Sequence, residues 1–201
     1  MSRIEAMEDG IVPMNNKQIK MLSTELKTIN QLIDDLSLLS LTESNQLTLQ
    51  NSKINVSDML IKLVDRYKLQ ANQGGIELKT TVPSGVLALL DEQRLRQILI
   101  NLLDNAFKYG ADGKQICINL SLQEHHFEIE ISDNGVGMTT SQQSAVFDRF
   151  YRVQQSRSDH NSLGLGLPIC MQLAELMGAK LTLKTAPNEG ANFKLRFSIR
   201  S

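Results

Sequence analysis

Tryptophan is absent, and aromatic residues make up only 4% of the 201-residue chain. Neither sign of charge is in surplus: 21 Lys and Arg stand against 22 Asp and Glu, a formal net charge of −1. That balance leaves no basic patch for a phosphate backbone, and no aromatic side chains interleave with cations, so nucleic acid is not expected as a partner. Cysteine is scarce. Cys117 and Cys170 fall in a predicted strand and a predicted helix, where they read as buried, reduced thiols of a cytoplasmic protein. No apolar run approaches the ~18 residues that span a bilayer, and no secretory leader is legible, so this chain is expected to be soluble. The hydrophobic share of 41% suffices for one core. The length suits one globular domain of about 150 residues with a helical appendage.

What is present begins with Asn101-Leu102-Leu103-Asp104-Asn105-Ala106-Phe107-Lys108-Tyr109. In a helix, Asn101, Asn105 and Lys108 stack along one line, while Leu102, Leu103, Ala106 and Phe107 turn inward. A stripe of two amides and an ammonium, read as free of carboxylates, suits an anionic ligand carrying a hard cation: amide oxygens ligate Mg²⁺ and the ammonium meets phosphate oxygens. A merely solvated helix face has the same pattern. Next, Asp133-Asn134-Gly135-Val136-Gly137 follows the alternating Phe127-Glu128-Ile129-Glu130-Ile131. This puts a carboxylate at a strand end, beside glycines that let backbone approach a flat ligand. The carboxylate can accept from an exocyclic amine such as adenine N6, although Asn-Gly also marks an ordinary turn. Third, Gly164-Leu165-Gly166-Leu167-Pro168 enters a helical run, with Pro168 in its first turn. Backbone N–H groups at such an entry face an anion, or the glycines simply begin a helix.

In this order the three stretches resemble the ATP-binding domain of sensor histidine kinases, in the gyrase–Hsp90–kinase–MutL superfamily. Asn101–Tyr109 is similar to the N box, Asp133–Gly137 to the G1 box, Phe147–Arg152 to the F box and Gly164–Leu167 to the G2 box. Gly190-Ala191-Asn192-Phe193 is similar to the last glycine box. The segment Ile4–Ile11 most resembles BaeS-type envelope-stress sensor kinases, at the end of a first dimerisation helix. Ile19, Leu22, Leu26, Ile29, Ile33 and Leu36 follow a 3-4-3-4-3 spacing, the seam of a helical hairpin or coiled coil. Asp34–Ser40 is similar to the end of the second dimerisation helix.

The resemblance implies a Bergerat-type fold, a two-layer α/β sandwich preceded by a helical segment. It divides the chain into 1–45, the end of the dimerisation hairpin, and 46–201, the ATP-binding catalytic domain. ATP and Mg²⁺ are the implied cofactors. Asn105 is the implied metal ligand, with Asn101 supporting metal or phosphates. Lys108 neutralises phosphate charge, and Tyr109 lies near the nucleotide. Asp133 accepts from the adenine amine, and Gly135 and Gly137 let the backbone follow base and sugar. Gly164, Leu165, Gly166 and Leu167 form the phosphate loop. Arg149 and Arg152 are candidates for the γ-phosphate, and the rings of Phe147 and Phe150 for anchoring a lid over residues 138–163. The hydrolytic relatives carry Glu where this chain has Asn101. An amide takes no proton from an attacking water, so transfer to a protein nucleophile is expected over hydrolysis.

The family's acceptor histidine is followed by an acidic residue and Pro. His125, His126 and His160 lack that context, and read as surface residues, with His160 near the phosphates. The acceptor imidazole is therefore expected on a helix outside this chain. A response regulator downstream and a homodimer through the N-terminal helix are the other implied partners. The implied parent lies in the bacterial inner membrane. A nucleotide- or protein-binding module without phosphotransfer is the alternative. Asn161-Ser162-Leu163 stands where the family more often has glycines and a Ser or Thr, a change expected to weaken ATP binding or order the lid; Ala191, in place of a frequent Thr, is a smaller departure.

The coarse layout expects a short strand at Leu47–Leu49, a helix at Val56–Asn72 and strands at Ile76–Val82 and Val86–Leu90. A helix at Asp91–Tyr109 and a hairpin of Gln115–Gln123 with Phe127–Ser132 follow. A last helix and strands at Lys180–Thr185 and Ala191–Ile199 close the sheet.

Overall fold

A computed structural model describes residues 16–44, 46–110, 113–153 and 163–199. Ile4–Ile11 and His160 lie outside the described residues. Contacts divide the chain into two units, Met1–Ser37 and Leu38–Ser201, and the division falls inside α1 (Asn16–Glu43).

In the first unit, Ile19, Leu26, Ile29, Ile33 and Leu36 are exposed along α1. Their heptad-like spacing gives the helix an apolar seam.

The second unit is built on two sheets. β1 (Ser52–Asn55) pairs antiparallel with β3 (Leu87–Leu90). The larger sheet has the order β2–β4–β5–β7–β6, from β2 (Glu77–Thr81), β4 (Gln115–Leu122), β5 (His126–Asp133), β7 (Ala191–Ser198) and β6 (Ala179–Thr185). Only the β2–β4 pair is parallel. Alternation decides which side is covered. Ile116, Ile118, Leu120, Phe127, Ile129, Ile131, Phe193, Leu195 and Phe197 are buried, while the residues between them are half-buried or exposed. Phe127 and Phe197 stack at 4.9 Å, a cross-strand pair worth about 0.5–1.5 kcal/mol beyond the area it buries.

The covering layer contains α2 (Val56–Gly74), α3 (Glu92–Tyr109) and α5 (Gly166–Leu176); α4 (Thr140–Ala145) is a short helix between β5 and α5. Asn55 caps α2 by accepting from the Asp58 N–H, and Gly75, at φ 64°, ends it in a left-handed cap. Asp91 caps α3, accepting from the Arg94 N–H at 3.0 Å and from the Gln50 N–H at 2.9 Å. The apolar stripe of α3, Leu95, Ile98, Leu99, Leu102, Leu103, Ala106 and Phe107, is buried throughout. Truncating any of its leucines to Ala would cost about 2–5 kcal/mol. The result is the expected two-layer α/β sandwich.

Two expectations need correction. Leu47–Leu49 is not a strand; the pairing with β3 begins at Ser52. The strands expected on either side of Pro83-Ser84-Gly85 are both present, and they join different sheets, β2 beside β4 and β3 beside β1. Cys117 is half-buried because it points to the open face of β4, whereas Cys170 is buried as expected; neither is in a disulfide.

Candidate functional site

α3 is the ruler of the site. At 1.5 Å per residue its stretch from Asn101 to Tyr109 covers about 12 Å. Asn101 and Asn105 are half-buried, and among the described residues neither amide has a hydrogen-bond partner. Lys108 continues the line and is exposed, with Nζ 5.1 Å from the Tyr109 ring centroid.

α5 packs along α3, and the buried Cys170 thiol lies 3.7 Å from the Ile98 carbonyl. This brings the start of α5 to the amide stripe: a Cβ on Gly166 would stand 3.5 Å from Asn101 Oδ1. Leu165 is buried at the cap position, and no side chain caps the helix. The first N–H groups of α5, at Gly166 and Leu167, therefore form an anion-favouring terminus beside an amide. Pro168 is the third helical residue.

Gly164 has φ +70°, and its carbonyl accepts from the Phe150 N–H at 3.0 Å. A Cβ on Gly164 would come 2.5 Å from the Tyr151 carbonyl oxygen, so only glycine lets the two turns lie together. Arg149, Phe150 and Arg152 are thus carried next to the glycine loop. Phe147 is half-buried, but the Phe150 ring is 61% exposed, and Phe150 itself has φ +62°. Burial does not anchor that ring.

At the far end of α3, Asp133 closes β5. Its Oδ1 accepts from the Gly135 N–H at 2.9 Å and from the Ala191 N–H at 3.3 Å. Among the described residues Oδ2 has no partner, so it remains an acceptor for a ligand. Burial pushes the carboxyl above its ordinary range, and the two backbone donors pull it part of the way back. A Cβ at Gly110 would overlap the Asp133 side chain, and one at Gly135 would overlap the Tyr109 carbonyl oxygen. Asp133, Tyr109 and Gly135 are thereby brought together. Gly137, at φ +62°, abuts the Ala186 carbonyl. Next to it, the Met138 N–H donates to Thr185 Oγ1 at 2.9 Å, and that hydroxyl donates to the Gly190 carbonyl at 2.6 Å.

Sequence reasoning missed Gly110 and the Thr185 hydroxyl. Gly110 had a weak signal, as a glycine closing a long helix; Thr185 had none. It also read the α3 stripe as free of carboxylates, although Asp104 stands about 60° around the helix from Asn101. The structure ties Asp104 to Tyr67, whose hydroxyl donates to Asp104 Oδ1 at 2.7 Å.

The arrangement offers a half-buried acceptor at one end, amide oxygens in the middle and helix-terminal N–H groups beside them. Such a groove suits a ligand with an amine donor at one end and anionic groups at the other.

The profile of the family described as histidine kinase-, DNA gyrase B-, and HSP90-like ATPase matches residues 90–201. The chain is 25% identical over 197 residues to the signal transduction histidine-protein kinase BaeS of Escherichia coli strain K12, covering 98% of this chain and 42% of that protein. It is 31% identical over 184 residues to AfsQ2 of Streptomyces coelicolor, covering 92% of this chain and 33% of that kinase. To ArlS of Staphylococcus haemolyticus it is 32% identical over 176 residues, covering 86% and 38%. The chain thus spans between 33% and 42% of the length of these curated relatives. In fold it is similar to the Acinetobacter baumannii histidine kinase AdeS, with a TM-score of 0.83 at 22% identity over 99% of this chain and 92% of that one. A structure of full-length ShkA in complex with AMPPNP gives 0.74 at 22% identity over 92% and 39%. The chain belongs to the histidine kinase-, DNA gyrase B- and HSP90-like ATPase family.

Proposed function

We propose that this chain is the ATP-binding catalytic part of a sensor histidine kinase, which transfers the γ-phosphoryl of ATP to a histidine on a dimerisation helix for relay to an aspartate of a response regulator. One observation carries the reading. The amides of Asn101 and Asn105 stand without hydrogen-bond partners among the described residues, beside the uncapped, glycine-opened start of α5, with the half-buried Asp133 carboxylate beside Gly110 at the other end of α3.

Asp133 accepts from the adenine amine through Oδ2, while Gly135 and Gly137 let backbone follow the base and sugar. Tyr109 borders the nucleotide. The N–H groups of Gly166 and Leu167 hold phosphate oxygens, and Gly164 and Leu165 shape that loop. Lys108 offsets phosphate charge, and Arg149 and Arg152 reach the γ-phosphate from the turn joined to Gly164. Phe150 flanks the same loop as an exposed ring.

The donor set fits Mg²⁺. Among the described residues no group of three or more His, Cys, Asp or Glu is placed to hold a metal. The Asn105 amide oxygen would hold a hard cation, with Asn101 in support. Mg²⁺ would supply charge neutralisation between phosphates. Phosphoryl transfer depends mostly on positioning and electrostatics, which is what this groove offers. Asn101 cannot act as base towards water, and this favours transfer to an imidazole over hydrolysis.

Residues 1–45 are the end of the dimerisation hairpin and 46–201 the catalytic domain. The exposed seam of α1 supports pairing with a second helix hairpin, as in a homodimer. Among the described residues no helix is long and apolar enough to cross a membrane, and the domain acts on the cytoplasmic side of a parent in the bacterial inner membrane.

The test supplies a separate dimerisation helix pair bearing the acceptor histidine, with γ-labelled ATP and Mg²⁺. Label on the histidine, lost with Asp133→Asn, is the expected result. ATP turnover to free phosphate with no label on any histidine would overturn the reading.

A further inference from the structure

Asp104 lies within one turn of Asn101, Asn105 and Lys108, on the flank of the stripe that faces the proposed polyphosphate. Its side chain is exposed, yet it is held from outside the helix: the Tyr67 hydroxyl, on α2, donates to Oδ1 at 2.7 Å. The Tyr67 ring is itself buried and stacks on Phe107 at 5.1 Å, with an interplanar angle of 27°. The donor is therefore rigid, and it is fixed to the same turn of α3 as the amides.

We propose that Tyr67 is a positioning residue for the anion-binding face. Its hydroxyl tethers the Asp104 carboxylate to α2 and keeps that negative charge from swinging toward the Asn101–Asn105–Lys108 line. This inference rests on the ATP-binding reading above. An untethered carboxylate at this position swings along the helix face and stands against the phosphates directly. The carboxylate is charged in either position, so the effect is that of its approach: a unit charge moving a few ångström closer to a polyphosphate of ~3 to 4 charges at a protein surface weakens binding about three- to tenfold.

The test titrates the 201-residue chain with ATP in low salt without Mg²⁺, where the ligand's charge is greatest. It compares the native chain with Tyr67→Phe, Asp104→Asn and the double variant. Tyr67→Phe keeps the ring and its stacking and removes only the tether, and thermal melting checks that each variant folds. Tyr67→Phe is expected to bind about three- to tenfold more weakly. Asp104→Asn is expected to bind no more weakly than the native chain, and the double variant to recover native affinity within a factor of two. The Tyr67→Phe deficit should also shrink at ~0.5 M salt, where exposed charges are screened.

A merely structural pin predicts the opposite pattern: the double variant stays as weak as Tyr67→Phe, and salt changes nothing. Either result overturns the inference, as does unchanged affinity in Tyr67→Phe. Native binding that occurs only with Mg²⁺ also overturns it, because the face then holds no anion by itself. A native chain that binds no ATP with or without Mg²⁺ sinks the nucleotide reading instead.

Discussion

Asp133 and Ala191 are 58 residues apart in sequence, yet one oxygen of the Asp133 carboxylate accepts the Ala191 N–H at 3.3 Å. The same oxygen accepts the Gly135 N–H. A single carboxylate thus binds the end of β5 to its own turn and to the start of β7.

Asp133→Asn separates stability from binding. Asn keeps an acceptor for both backbone donors and removes a charge whose burial disfavours it. ATP affinity should fall at least about tenfold, the scale of a lost hydrogen bond to a charged group, as measured by calorimetry. Stability should hold or rise slightly at neutral pH. The sign follows from the raised carboxyl: the native state takes up its proton before the unfolded chain does, so acidification relieves the cost of burying the charge. The stability gap between variant and native chain should therefore close as pH falls through the folded-state titration toward the unfolded value. A gap that widens on acidification would contradict this.

Two glycines with similar backbone angles should respond differently to alanine. Gly75 has φ +64° and open space around a Cβ, so Gly75→Ala should cost about 1–2 kcal/mol, the left-handed penalty alone. Gly190 has φ +71°, and a Cβ there overlaps the Asp133 carbonyl. Gly190→Ala should cost about 2–4 kcal/mol, since strain and crowding add. Urea unfolding of the two variants side by side decides the ranking.

Gly166→Ala should fold normally. Its Cβ meets Asn101 at ordinary contact distance and the backbone is helical, so stability should stay within about 1 kcal/mol of native. The methyl occupies the approach to the α5 N-terminus, and ATP affinity should drop about tenfold, as for a tightly overpacked contact. Equal affinity with equal stability would place the phosphates elsewhere.

Asn105→Ala should also leave stability within about 0.5 kcal/mol, since the amide has no partner to lose among the described residues and Ala is the better helix former. The enhancement of ATP binding by Mg²⁺ should disappear. An unchanged ratio of affinities with and without Mg²⁺ would remove Asn105 as the metal ligand.

On the open face of the sheet, burial raises the Glu128 carboxyl, but hydrogen bonds from Arg196 and Lys194 outweigh it and hold the group below its ordinary value. Lys194 bridges to both Glu128 and Glu130 at 3.3 Å. A depressed carboxyl contributes stability above its unfolded titration and loses it as pH falls through the folded one. Glu128→Gln should cost about 1 kcal/mol at neutral pH and nothing in strong acid, as followed by melting temperature.

The α3 helix was legible nearly to the residue, because a capping Asp, an unbroken apolar stripe and a closing glycine all agree. The partners of β2 and β3 were not. A period of two announces a strand, but the neighbour it chooses depends on contacts far along the chain, and both strands pass over the turn between them. Cys117 was misjudged although the means were present: Ile116, Ile118 and Leu120 face inward, so the residue between must face out. In the site, glycine spacing pointed to Asp133 and Gly166. The tether between Tyr67 and Asp104 left no trace, since it joins two helices through side chains whose spacing in sequence carries no pattern.

β7 follows every other described strand in sequence, yet it lies inside the sheet, between β5 and β6. A ribosome delivers residues in order, so β5 must wait with one edge bare until this late segment emerges. A nascent chain that has not yet released Ala191 already holds Asn101, Asn105 and Gly166, but the Asp133 carboxylate still lacks one of its two donors. The groove is therefore completed late in synthesis, and a chain cut short before Ala191 keeps its amide stripe while its carboxylate end stays unfinished.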